Sequence, residues 1–181
     1  MKVLHYSDRA EPNLRSLFEQ AELLITTGDL TIFDFASIRS SLDQKPAFGV
    51  YGNHDTPGYL EKLGIINLHL KVYEWAGYTF GGYQGSVRYK RGGGPQFTEE
   101  QAYQELKNYS AVDVLLLHAA PKDMLDTPDD DVHQGSQAVR EYVLRTNPKY
   151  IFCGHDSPTK TEVFGQIKVF RTHQSRVVEI E

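Results

Sequence analysis

Five short apolar runs, each broken off where a carboxylate, carboxamide or imidazole appears, constrain the fold of this chain more than any other feature. The runs are Val3 to Tyr6, Leu23 to Thr26, Phe48 to Tyr51, Val112 to His118 and Tyr150 to Cys153. Their lengths fit strands. Between them lie polar stretches of helical character at about Asn13 to Ala21, Phe33 to Leu42, Pro57 to Leu63, Thr98 to Tyr109 and Gln134 to Arg145, with Thr98 suited to an N-terminal cap. Alternation of this kind predicts an α/β protein whose functional groups gather at the C-terminal ends of its strands. Two regions break the pattern: Leu68 to Tyr83 and Glu162 to Ile180 read as hairpins, with turns near Ala76-Gly77 and Gly165-Gln166. Antiparallel strands are therefore expected to join the sheet.

At 181 residues and 40% hydrophobic content, the chain is expected to form one domain spanning 1–181. Nineteen Lys and Arg against twenty-four Asp and Glu leave a net charge of -5. That is the wrong sign for gripping a polyanionic backbone by bulk charge, so no stable nucleic-acid complex is expected. The single cysteine, Cys153, can close no intrachain disulfide, and no C-x-x-C pair exists, which points to a reducing compartment. No stretch approaches the roughly 18 apolar residues that a membrane span needs. The start, where Val3-Leu4 meets His5 and then Ser7-Asp8, does not read as a secretory signal. A cytoplasmic protein with no membrane partner is the expectation.

Asp8 follows the first run, Gly28-Asp29 the second, Gly52-Asn53-His54-Asp55 the third, His118 ends the fourth, and Gly154-His155 follows the fifth. Any one of these alone has a bland account as a turn-capping carboxylate or a hydrogen-bonded rim imidazole. Five together, all at strand ends, are expected to converge on one crevice. Carboxylate, carboxamide and imidazole suit divalent iron, manganese, zinc or nickel, and no thiol is placed to compete.

In this order the residues resemble the calcineurin-like metallophosphoesterase family from first motif to last, the most specific part being Gly-Asn-His-Asp after an apolar run. Leu117-His118-Ala119-Ala120-Pro121, the Asp131-Val132-His133-Gln134-Gly135 turn and the closing strand Val177 to Ile180 resemble its small bacterial phosphodiesterase branch. The resemblance implies a four-layer α/β/β/α sandwich of two mixed sheets flanked by helices, with a bimetal phosphoester site at its rim. It puts the bridging carboxylate on Asp29, the second metal's ligands on Asn53, His118 and His155, and Asp8 at the first metal. Where the family carries Asp-x-His and Gly-His-x-His, this chain reads Asp8-Arg9-Ala10 and Gly154-His155-Asp156-Ser157. Both lost imidazoles belong to the same ion, so at most one tightly held metal is expected.

Arg9 stands where the missing metal's loop would be. Its planar guanidinium can supply a fixed positive charge to a phosphate, or it is a solvated loop arginine. By family position, His54 is implied to stabilise the transition state or protonate the leaving oxygen, with Asp55 orienting it. Asp55 reads equally well as the cap of the helix near Pro57. His5 and His69 read as structural, His133 sits in a turn that the family places near the substrate entrance, and His173 is a candidate to replace a lost imidazole. The loop from Gly81 to Gln96 carries Arg88, Tyr89, Lys90 and Arg91 ahead of three glycines. It reads as a phosphate-steering lid or as a solvated loop, and it lacks the Lys-Ser/Thr ending of a P-loop.

The functional expectation is a metal-dependent phosphoester hydrolase, a phosphodiesterase acting on a small phosphoester. The alternative is a catalytically impaired member serving as a protein-interaction scaffold. Retention of Asn53, His54, His118 and His155 favours the enzyme, while Ala10 and Ser157 favour the scaffold.

Overall fold

Side chains alternate across a strand, so each apolar run must feed two faces at once. In the computed structural model, which describes residues 1–181, β1 (Lys2–Ser7), β2 (Leu23–Thr26), β3 (Ala47–Gly49) and β4 (Ile66–Asn67) are parallel neighbours. The second sheet is built from β5 (Val72–Trp75), β6 (Tyr78–Tyr83), β9 (Val114–Leu117), β10 (Tyr150–Cys153), β11 (Lys160–Phe164) and β12 (Ile167–Arg171), in the order β11-β12-β10-β9-β6-β5. A small parallel pair, β7 (Ser86–Val87) and β8 (Gln96–Phe97), brackets the basic loop. The last strand, β13 (Gln174–Glu179), lies antiparallel to β1 at the edge of the first sheet.

Val3, Leu23, Ile25 and Phe48 meet Phe80, Val114, Leu116 and Phe152 in the buried layer between the sheets. Their neighbours face outward. Leu4, Tyr6 and Leu24 pack under α1 (Leu14–Gln20) and α2 (Tyr59–Lys62), and Leu115, Leu117 and Ile151 pack under α3 (Glu99–Leu106) and α4 (Gln137–Thr146). The result is the expected α/β/β/α order of layers around two mixed sheets. Each fully buried aliphatic side chain contributes about 1.5–3 kcal/mol to holding them together. No helix is long and apolar enough to cross a membrane.

Four expectations need correction. Phe33 to Leu42 is not an α-helix but two 3-10 turns, Ile32–Phe35 and Arg39–Gln44. Ile32, Phe35 and Ile38 recur every third residue, which matches a 3-10 pitch and buries Phe35 and Ile38 while Phe33 points to solvent. The helix near Pro57 shrinks to the single turn of α2, because Gly58 before it takes a left-handed backbone. Asp55 does not cap that helix, whose N-cap is Gly58 with no side-chain bond. Finally, the hairpin at the chain's end comprises only β11 and β12, turning at Gly165, and β13 leaves it to pair with β1 in the other sheet. The earlier hairpin forms as expected between β5 and β6, with positive φ at both Ala76 and Gly77.

Candidate metal centre

The strand-end loops after β1, β2, β3, β9 and β10 carry the residues expected to converge, and three of them hold an unusual backbone. Asp8 (φ 66), Asp29 (φ 54) and His155 (φ 66) are all left-handed without being glycine. Each such residue costs about 1–2 kcal/mol, and residues of this kind persist where surrounding contacts fix them. The turns are packed to the limit. A Cβ on Gly52 would lie 2.1 Å from Asp29 Oδ1 and 2.7 Å from His118 Cε1, so only glycine lets the third strand's loop pass this close.

His118 is fully buried at the centre. Its Nδ1 lies 2.7 Å from the Thr27 carbonyl, and its Nε2 faces Asn53 Oδ1 at 2.8 Å, His155 Nδ1 at 3.1 Å and Asp29 Oδ2 at 3.5 Å. The other nitrogen of His155 meets the Val132 carbonyl at 2.7 Å. Both outward nitrogens face carbonyls, so both must be N–H donors, and in neutral rings both inward nitrogens carry lone pairs. Four acceptors then point at one spot with no donor among them, and either a proton on one of them or a bound cation relieves their repulsion. Ligands about 2.1 Å from one ion stand roughly 3 Å from each other, close to the 2.8, 3.1 and 3.5 Å that separate His118 Nε2 from its three neighbours. Candidate ligand atoms of Asp29, His118 and His155 lie within 4.8 Å of one another, and Asn53 joins them through its contact with His118. The residues fit a divalent metal.

Electrostatics supports the same reading. Burial alone would lower His118, but the Asp29 and Asp8 carboxylates outweigh it and lift the imidazole to about 9. Asp29 would be raised by burial, yet His118 and the His54 N–H bring it down to about 2. Burial and the charge on His118 push His155 down to about 4. In the metal-free protein a proton on His118 thus takes the cation's place. At pH 7 Asp29 and His155 are already deprotonated, and only His118 must lose a proton when metal enters. The bound state therefore holds fewer protons, and raising the pH favours it. Metal uptake at pH 7 is expected to release about one proton per ion, and affinity is expected to rise about tenfold per pH unit until about pH 9. Calorimetry in buffers of different ionisation enthalpy checks this, and uptake without proton release would refute the assignment of His118.

The remaining expected residues fall around this cluster in distinct ways. Asp8 stands outside the group of mutually close ligand atoms, and its carboxylate accepts the His155 backbone N–H at 3.0 and 3.1 Å. Burial raises its pKa. Ala10 and Ser157 are exposed. Arg9 is exposed and its side chain enters none of the chain's ion pairs. His54 is exposed, and its backbone N–H, not its ring, donates to Asp29 Oδ1 at 2.8 Å. Asp55 does not reach the His54 ring. Its carboxylate accepts the backbone N–H groups of Asp29, Leu30 and Gly52 and the Tyr59 hydroxyl, clamping the second and third loops together, and burial raises its pKa to about 6.

His133 packs its ring on His155 with centroids 5.1 Å apart and bonds Asp130. His173 uses its backbone to bond Thr159. His5 is buried, bonded to Thr27 and packed edge-on to Phe152, as a structural histidine would be. Sequence reading missed the Thr27 and Val132 carbonyls, because a carbonyl's role leaves no mark on residue identity. It also missed Arg171, whose nearly buried guanidinium bonds Asp156, Leu125 and Pro158 and fastens the loop carrying His155. An arginine directly after the strand-like run Ile167 to Phe170 was the available signal.

Comparison with known proteins bears on the family and the fold. The sequence profile described as calcineurin-like phosphoesterase matches residues 1–157. Protein MJ1162 of Methanocaldococcus jannaschii is 27% identical over 175 residues, which cover 86% of this chain and 79% of that one. The crystal structure of TT1561 of Thermus thermophilus superposes with a TM-score of 0.64 at 19% identity, covering 94% of this chain and 88% of that one. A structure described as a novel archaeal phosphodiesterase gives 0.50 at 15% identity, covering 94% and 82%. At these identities the two structures speak for the fold alone.

Proposed function

The chain belongs to the calcineurin-like phosphoesterase family, a class of metal-dependent phosphoester hydrolases, and from that premise we propose that it is a phosphodiesterase using one tightly held divalent metal, with a second weak or absent. The observation that carries the reading is the convergence of acceptors from Asp29, Asn53, His118 and His155 on one point, with His54 open to solvent beside it. The ligand set suits manganese, iron, zinc or nickel. When bound, the metal polarises a phosphoryl oxygen and lowers the pKa of a water.

The chain's own residues supply the rest. Thr27 and Val132 fix the two imidazoles, and the Asp55 clamp fixes the Asp29 loop. His54 lines a cleft with Gln84 and Pro95, where its ring can give a proton to the departing alcohol oxygen as the P–O bond breaks. The water oxygen ends on phosphorus and gives one proton to solvent, the alcohol leaves with the proton from His54, and solvent reprotonates the exposed ring. A lone, buried Cys153 supports a cytoplasmic setting.

The test is turnover of bis(p-nitrophenyl) phosphate by chelator-treated protein, with and without added manganese. Activity that appears only with the metal supports the proposal. No activity with any of the four metals would favour a scaffold role instead. Metal count follows from the same picture, since Ala10 and Ser157 bring no imidazole to the first ion. Elemental analysis is expected to give about one metal per chain. Ala10→His with Ser157→His is expected to raise both stoichiometry and rate where either alone does little, because ligands to one ion act as a unit. Two tightly held metals in the unaltered protein would overturn the single-metal reading.

A further inference from the structure

The cleft beside His54 has no cation among its lining residues, yet it shares Gly93 and Gly94 with a second cleft of about 340 Å³ lined by Arg88, Lys90, Arg91 and Gln96. None of the three cations enters any of the chain's ion pairs. In a chain of net charge -5, three neighbouring positive side chains outside any ion pair are a local reversal of sign. A solvated loop would show as much.

What separates this loop from a solvated one is its attachment. Asn53 Nδ2 donates to the Tyr89 hydroxyl at 3.0 Å, and the Gly94 N–H donates to the Asn53 carbonyl at 3.0 Å, so the loop is fastened at two points to a residue of the metal centre. The Lys90 ammonium rides over the Tyr89 ring at 5.1 Å from its centroid. Gln96 reaches back to the Gly92 carbonyl at 3.0 Å, and the Arg88 N–H donates to the Phe97 carbonyl at 2.9 Å, which closes the base of the loop. The backbone that carries the three exposed cations is thus fixed relative to Asn53. Guanidinium groups offer paired N–H donors that match phosphate oxygens, and unpaired ones need not first break a salt bridge.

We propose that this loop binds a second phosphoryl group of the substrate, so that the preferred diester carries a further phosphate beside the one cleaved. The inference rests on the hydrolase reading and deepens it by naming the substrate class. On this reading a diester with a single phosphate occupies the His54 cleft, and one with two extends along the shared Gly93-Gly94 wall toward Arg88, Lys90 and Arg91.

The test uses the triple variant Arg88→Gln, Lys90→Gln, Arg91→Gln and has two arms. In the first, inorganic pyrophosphate is titrated calorimetrically into chelator-treated protein at low salt, since pyrophosphate would otherwise capture the metal. The unaltered protein is expected to bind it about tenfold or more tightly than the variant does. In the second, KM for a diester of pyrophosphate is expected to rise about tenfold in the variant with kcat within about twofold, while both constants for bis(p-nitrophenyl) phosphate stay unchanged. Equal pyrophosphate binding by the two proteins overturns the loop site, and so does an unchanged KM for the pyrophosphate diester; in either case the hydrolase reading stands. If neither diester is turned over, the hydrolase reading fails by itself, and the binding arm alone decides whether the loop is an anion site.

Discussion

Asp29→Asn is expected to give a folded protein that no longer retains metal on dialysis and hydrolyses a phosphodiester about 1000-fold more slowly. The substitution keeps the shape of the side chain, and its oxygen can still accept the His54 N–H that Asp29 Oδ1 accepts at 2.8 Å. What changes is the group 3.5 Å from His118 Nε2, where an anionic ligand becomes a neutral amide. A metal's charge stabilisation of a phosphoryl transition state amounts to several kcal/mol, and about 4 kcal/mol corresponds to the expected rate loss. A second readout separates this from misfolding. The Asp29 carboxylate is the main group lifting His118 to about 9 against its burial, so the imidazole in metal-free Asp29→Asn should titrate well below that value by NMR. A variant that keeps its metal and its rate would remove Asp29 from the site.

His54→Ala is expected to lower kcat by about 100-fold, the lower end of what a positioned general acid contributes. Metal content should not change, because the contact with Asp29 comes from the backbone of His54 and survives loss of the ring. The exposed position of the ring makes a folding defect a poor account of the loss. Measured together, kcat and metal stoichiometry distinguish His54 from Asp29, since the first should fall without the second. If His54→Ala matches the unaltered protein, the turnover being measured does not come from this centre.

The order of strands and the identity of the metal-competent residues could be read from the sequence for a local reason. Apolar runs such as Leu23 to Thr26 have the length of a buried strand, and the polar residue that follows each run marks the strand end wherever the strand is placed. Asp29, Asn53, His118 and His155 were therefore legible before their loops were seen to meet. The gaps at Ala10 and Ser157 were legible in the same way, as residue types that bring no imidazole. Helical character was less secure: Ile32, Phe35 and Ile38 suit a 3-10 turn as well as an α-helix over so short a span, and packing made the choice.

The tertiary structure alone decided which atoms face which. The Thr27 carbonyl orients His118 across 91 residues, Tyr89 reaches Asn53 across 36, and Asp55 turns from the helix it was expected to cap toward the backbone of Asp29 across 26. The left-handed backbones of Asp8, Asp29 and His155 belong with these contacts, since each is held by neighbours far away in the chain. A sequence specifies donors and acceptors one residue at a time. Whether four acceptors share one point, with nothing but a proton or a metal to reconcile them, depends on five loops meeting at the rim of two packed sheets.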